Sequence, residues 1–362
     1  MDAPDPTADP SADAARDANP DSAPGTGRGT NRNSAPDTGR GTNPDPAVSL
    51  PASILDRYRR FTLYNSPYPA HDYGHAVDLY PDDERGISPV AGVVSDVRTV
   101  AAPQQPYAVD HDHLVVLDVD GDWARAAGYD DWAAARGHDG GLVARVLHVD
   151  PAVEPGDRVA VGDSLGRMVR SGFFARWVDN HVHLGFRRAD QNPVRASGSL
   201  RLAADVAVEA LPWDGTGTVV ETGETYAVLD APAHPAPGER FVAVADDDGR
   251  PLDGGLPHYE RGGVLSSGRD GVLSTGRDGV SSRGRESIGP EVVSLLGTRV
   301  GVADGRDVAW DDVTVVASGV PVTGLSLFVA RDGGFGAKLV CPDHEFERGE
   351  RVEVRIERGN EV

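Results

Sequence analysis

Hydrophobic and polar positions alternate along most of the chain in short runs with a period of two, the pattern of strands whose alternate side chains share a face. The pattern is densest over residues 140–187. Val153, Val159 and Val161 alternate with polar or small residues around Pro155-Gly156-Asp157, which predicts a hairpin, and Gly162-Asp163 supplies a second turn. Leu165-Gly166 opens a further short strand, and the segment closes on His181-Val182-His183-Leu184. There the two imidazoles fall on one side and Val182 and Leu184 on the other. Paired imidazoles on one face read either as a metal ligand beside an acid/base or as two surface histidines of an edge strand.

The same reading extends outward. Residues 51–64 predict a short helix with Ile54, Tyr58 and Phe61 on one side, and residues 87–100 a strand pair with Gly92 as a close-approach or bulge position. His113 opens a buried strand, whereas residues 123–136 are rich in helix formers and predict a rim loop or short helix. His111, His113 and His138, around that rim, read as surface or loop histidines. After Arg188, short apolar runs at regular spacing predict a second small β-sandwich or barrel. It is interrupted at 262–286 by a low-complexity loop in which Gly-Val-Leu-Ser-Ser-Gly-Arg-Asp recurs with one change. The first fifty residues, dominated by Asp, Pro, Ala, Ser, Gly and Thr, bury too little apolar surface to fold and predict a disordered tail. The expected architecture is mainly β, with a tail at 1–50, an antiparallel β domain at 51–189 and a second all-β domain at 190–362. That second domain holds His234, His258 and His344 without ligand spacing, and no chemistry is expected of it.

Composition narrows the function. Lys+Arg number 35 against 57 Asp+Glu, a net charge of −22, and Lys338 is the single lysine. Acid excess with Arg in place of Lys is the pattern of a halophilic protein and concerns hydration rather than substrate. Nucleic acid is not expected as a partner, because no basic stripe exists to neutralise phosphates. No apolar run reaches the ~18–20 residues of a membrane span. Residues 1–50 contain neither a basic start nor an apolar core of a signal peptide, which predicts a cytoplasmic protein, or an extracellular one if the true start differs. The single cysteine, Cys341, leaves no intramolecular disulfide and no cysteine-based metal cluster.

Eight of the eleven histidines lie between residues 71 and 183. In order, the chain presents His71 and His75 with Asp78, Pro89-Val-Ala-Gly92-Val-Val, Leu147-His148-Val149, Val153-Glu-Pro-Gly156-Asp-Arg-Val159-Ala-Val-Gly162-Asp-Ser-Leu165-Gly166, and His181-Val182-His183. Over roughly residues 65–187 this series resembles the lysostaphin/LytM-type zinc endopeptidases. The resemblance implies a duplicated-hybrid-motif β domain with a catalytic Zn2+ held partly by Asp78 and His183. It implies His148 and His181 as the non-ligand histidines that flank the attacking water and the oxyanion. The family places its first ligand four residues before the aspartate, where this chain has Gly74. His75, three before Asp78, would face away from it on a regular strand, whereas His71 could reach the metal if the chain folds back at Gly74. His71 is therefore the preferred first ligand and His75 the alternate.

The chemistry so implied is hydrolysis of a peptide bond in a peptide or peptide-bearing polymer, with a metal-acidified water. No H-E-x-x-H occurs, so a glutamate base on a helix is not expected. A lipoyl or biotinyl carrier, which uses a turn lysine, is excluded because residues 51–189 contain no lysine. The alternative that stands is an inactive relative binding zinc or a partner.

Overall fold

The computed structural model describes residues 46–195, 198–265 and 289–359; residues 1–45 of the expected tail and 266–286 of the expected loop lie outside them. The fold is mainly β, with antiparallel pairing dominant. Six strands carry the site and are labelled here β1 (Arg60–Thr62), β2 (Ala76–Tyr80), β3 (Gly92–Ala101), β4 (His111–Val119), β5 (Leu142–Leu147) and β6 (Val182–Arg188). They lie side by side in the order β1-β2-β6-β5-β4-β3 within a ten-stranded sheet. At the β1 edge the sheet continues through Val329–Ala330, Phe241–Val244 and Val208–Leu211, all from the second half of the chain. A three-stranded sheet of Arg85–Ile87, Ser164–Met168 and Val149–Pro151 stands apart from it, and a twelve-stranded sheet forms most of the rest of the second half.

Phe241–Val244 explains why the halves cannot be cut cleanly at residue 189. Phe241 and Ala243 belong to the first hydrophobic core, Val242 and Val244 to the second, so this strand is a shared wall. A strand buried on both faces reads as a continuous apolar run rather than an alternating one. Phe61 meets Phe241 edge-on across the boundary, ring centroids 5.2 Å apart. Arg60 pairs with Asp332 at 2.8 Å and Arg201 with Asp307 at 2.7 Å.

Several expected boundaries shift. Val48–Pro51 is a strand pairing in parallel with Leu202–Asp205, and Val48, Leu50 and Leu202 are fully buried, so the first unit begins before residue 51 and ends after 189. The expected helix over 51–64 shrinks to Ala52–Leu55, because the chain must be extended at Arg60–Thr62 to pair with β2. Residues 123–136 form two short helices, Gly121–Ala126 and Tyr129–Ala134. Gly262, taken as the start of the loop, lies inside the strand Arg261–Val264. Gly92 is a close-approach position, since a Cβ there would stand 2.3 Å from Asp118 O. Among the described residues no helix is long and apolar enough to cross a membrane.

Candidate metal centre

β2 and β6 place the first two candidate ligands. In their antiparallel register Asp78 faces His183 directly, so both side chains project from the same face of the sheet. His71 arrives from the 3-10 segment Pro69–Gly74, where Tyr73 (φ 57°) and Gly74 (φ 65°) are consecutive left-handed residues that reverse the chain before β2. The result is a buried triangle of donor atoms. His71 Nε2 stands 3.3 Å from Asp78 Oδ1 and 3.2 Å from His183 Nδ1, and His183 Nδ1 stands 2.9 Å from Asp78 Oδ1. His71 and Asp78 are each 3% exposed, which decides that nothing but a proton or a cation can balance the carboxylate. His75 is not in the triangle; it packs near Tyr73 and is only half-buried.

These residues fit a metal. Ligands about 2.0–2.1 Å from a tetrahedral ion stand roughly 3.3 Å from one another, and the triangle's edges bracket that value. His71 Nδ1 donates to Leu63 O at 3.0 Å, which leaves the Nε2 lone pair facing the other donors. Two nitrogens and a carboxylate oxygen suit zinc, though the donor set alone does not select it. Electrostatics points the same way. Burial alone would raise the Asp78 carboxyl, but the positive charge available on His181 and His71 holds it well below its usual range. Burial drives the His183 imidazole down to about 4, keeping it neutral as a ligand must be. At His71 burial acts downward, but Asp78 outweighs it and the imidazole is raised, so this is where positive charge is drawn.

The two flanking histidines also converge. His181 Nδ1 donates to Asp179 O at 3.0 Å, and its Nε2 lies 3.3 Å from Asp78 Oδ2. His148 and His181 meet edge to face with ring centroids 5.1 Å apart, and His148 lies 5.7 Å from His183. His148 has a left-handed backbone (φ 71°), rare for a non-glycine residue and costly by about 1–3 kcal/mol. It is the pivot at which the chain leaves β5 for the strand Val149–Pro151 in the neighbouring sheet.

Sequence reasoning missed the residues that hold these groups. Asp112 on β4 is fully buried and accepts from His148 Nδ1 (2.5 Å), Ser171 Oγ (2.7 Å) and the His113 and His148 amides (2.7 and 3.0 Å). Burial would raise its carboxyl, but His148 and these donors hold it below its usual value. The signal was present: alternation puts Asp112 on the Leu114 and Val116 face of β4, while His111 and His113 point to the other, partly exposed side. The second half of the chain, expected to hold no chemistry, contributes Asp253 and Tyr259. Asp253 accepts from Thr62 Oγ1 and from Leu63 N (2.6 Å), the residue whose carbonyl anchors His71. Nothing local in the sequence signals either. His111, His113, His138, His234, His258 and His344 stand outside the donor group.

The triangle forms the floor of a cleft. Phe173, Phe174, Tyr68, Leu147 and Val178 make its apolar walls, and Asn65, Arg145 and Tyr259 its polar ones. The Phe174 ring packs at a tilt against both His148 and His181, with centroids 4.6 Å from each. Asn65 Oδ1 and Tyr259 OH are buried without a hydrogen-bond partner, although Asn65 Nδ2 is bound to Ser326 Oγ at 2.8 Å.

Residues 49–204 match the family model described as the domain of unknown function DUF8155, N-terminal domain, and residues 209–357 match the DUF8155 C-terminal domain. The two models together span most of the chain, which belongs to this family. No curated protein matches it, and no solved structure does.

Proposed function

We propose that this two-domain DUF8155 protein is a zinc-dependent hydrolase of the lysostaphin/LytM endopeptidase type, cleaving a peptide bond in its cleft. The observation that carries the reading is the buried triangle of His71 Nε2, Asp78 Oδ1 and His183 Nδ1, with edges of 2.9–3.3 Å and two further histidines at its rim. A bound zinc ion would supply Lewis-acid polarisation of the carbonyl and acidification of water toward a pKa of ~7.

The remaining work falls to the chain's own groups. Asp112 fixes the His148 proton on Nδ1, so Nε2 is left as the acceptor for the proton of the attacking water. Asp179 O fixes the proton of His181 on Nδ1, so its Nε2, beside Asp78 Oδ2, is a second site for proton transfer in the cleft, and the proton that His148 takes from the water passes to the leaving amide nitrogen. The apolar walls exclude bulk water and strengthen both hydrogen bonds. Asn65 Oδ1, a lone acceptor, and Tyr259 OH, a lone donor, match the N–H and C=O of a peptide backbone.

The test is metal content by elemental analysis of the full chain in molar salt, followed by a broad peptide panel. One zinc per chain and cleavage are expected, with His181→Ala keeping zinc but losing on the order of 10²-fold or more in rate. Zinc without cleavage of any peptide would replace this reading by that of a zinc-binding or partner-binding module.

A further inference from the structure

A net charge of −22 makes a buried arginine without an acid partner conspicuous, and the site face of the sheet carries two. Arg145 on β5 is 5% exposed and Arg187 on β6 is 1% exposed. Register places Arg145 opposite Gly185, and Leu147 opposite His183, so Arg145, His183 and Arg187 project from the same face. Arg145 Nε donates to Pro193 O at 2.6 Å and Arg187 Nη2 to Arg195 O at 2.9 Å, while Arg187 Nε is buried without a partner. Burial, and then the neighbouring Arg187, lowers Arg145 to about 10, which leaves it charged at neutral pH. Arg187 is lowered by burial alone. Neither forms an ion pair with any described carboxylate, and Arg145 lines the cleft. Burying like charges side by side without a counter-ion is costly. Such a pair is retained where an anion arrives from outside.

We propose that Arg145, backed by Arg187, is a carboxylate-binding subsite of the cleft, and that the substrate is a peptide bearing a carboxylate close to the scissile bond. A guanidinium binds a carboxylate through two parallel hydrogen bonds, which fixes direction as well as charge. Arg145 lies two positions along β5 from the residue opposite His183, about 7 Å at strand spacing. An extended peptide advances about 3.3–3.6 Å per residue, so the carboxylate sits one to two residues from the scissile carbonyl. Gly185, having no side chain, leaves room for Ser199, whose Oγ stands 3.3 Å from where a Cβ would be, and it is Arg145 rather than Arg187 that lines the cleft. This inference rests on the cleft being a peptide site, and its test separates the two.

The probes are N-acetyl-triglycine with a free terminal carboxylate and the same peptide as its terminal amide. Their binding to the full chain is measured by calorimetry, with and without added zinc. Wild type should bind the acid on the order of 10–100-fold tighter than the amide, and Arg145→Gln should erase the difference while keeping melting temperature and zinc content. Equal binding of acid and amide by wild type overturns the proposal, whether or not any variant folds. A preference that survives Arg145→Gln overturns it too, since the carboxylate would then sit on the metal. If Arg145→Gln does not fold, Arg145→Lys must weaken the preference several-fold, and an undiminished preference refutes the subsite. Heat of binding from chloride or sulfate alone, with acid and amide alike, would show an adventitious ion only. An acid preference without any peptide cleavage would sink the hydrolase reading and leave the subsite standing; cleavage without a preference would do the reverse.

Discussion

Replacing Asp253 by Asn should make the protein more stable at neutral pH and less stable in acid. Asp253 lies on the strand Leu252–Leu256, fully buried, with Thr62 Oγ1 on one carboxyl oxygen and Leu63 N on the other. Burial raises its pKa from 3.8 to about 6, against the opposing pull of those two hydrogen bonds. The folded protein therefore holds this proton more tightly than the unfolded chain. Between the two values the folded state binds more protons, so stability falls as pH rises, and above about 6 the ionised carboxylate costs the fold roughly 3 kcal/mol. Asn at this position is never ionised. Its amide oxygen can accept from Leu63 N, and Thr62 Oγ1, which already accepts from Asn65 N, can take a proton from the new NH2. A residual misfit of about 1 kcal/mol is expected from the altered hydrogen bonds. Above pH 7 the variant should thus exceed wild type by about 2 kcal/mol, and below pH 4 it should trail by about 1 kcal/mol. The assay is urea unfolding of both proteins at fixed ionic strength between pH 4 and 8, read as the difference between them. His183 and His75, both lowered to about 4, lose stability as pH falls, but they do so in both proteins and cancel. A difference that stays flat across pH 4 to 7 would refute the reasoning. So would loss of zinc from the variant, because the Leu63 carbonyl that anchors His71 should stay in place.

The metal assignment predicts that His71→Ala and His183→Ala each abolish stoichiometric zinc while His75→Ala keeps it, as read by elemental analysis; full occupancy in His183→Ala is the result that defeats it. Asp112→Asn should retain zinc yet slow hydrolysis on the order of 10²–10⁴-fold, because the His148 tautomer is no longer fixed; an unchanged rate would remove Asp112 from any positioning role.

Much of the site was legible from period two alone. His181 and His183 were assigned to one face, and they take opposite oxygens of the same carboxylate, Oδ2 and Oδ1 of Asp78. The odd separation of His75 from Asp78 pointed to His71, and the chain does reverse at Gly74, although Tyr73 shares the left-handed turn. Parity fails at His148. Leu147 lies opposite His183 on the site face, so a regular strand would turn His148 to the other side. The left-handed backbone rotates it back; histidine is enriched among non-glycine residues in that region, but the conformation is too uncommon for the sequence to announce it at one position. Motif order supplied that residue where geometry could not.

What the sequence hides is how much of the centre belongs to the second half of the chain. Alternation says which face a side chain takes, but not which strand lies beside it, and that choice is made by packing between distant segments. Phe241–Val244 illustrates the cause: its two faces serve two cores, so its four residues read as one apolar run and carry no sign of a boundary. Once that strand and Val329–Ala330 extend the site sheet past β1, the strand Leu252–Leu256 is brought against Thr62 and Leu63. Asp253 then fixes Leu63, Leu63 fixes His71, and Tyr259 closes a wall of the cleft. A first domain expressed alone would keep all three candidate ligands in sequence. It would lack the carboxylate that sets the position of one of them, and would leave Phe61 without the ring it packs against. The second domain is therefore part of the candidate metal centre's construction rather than an appendage to it.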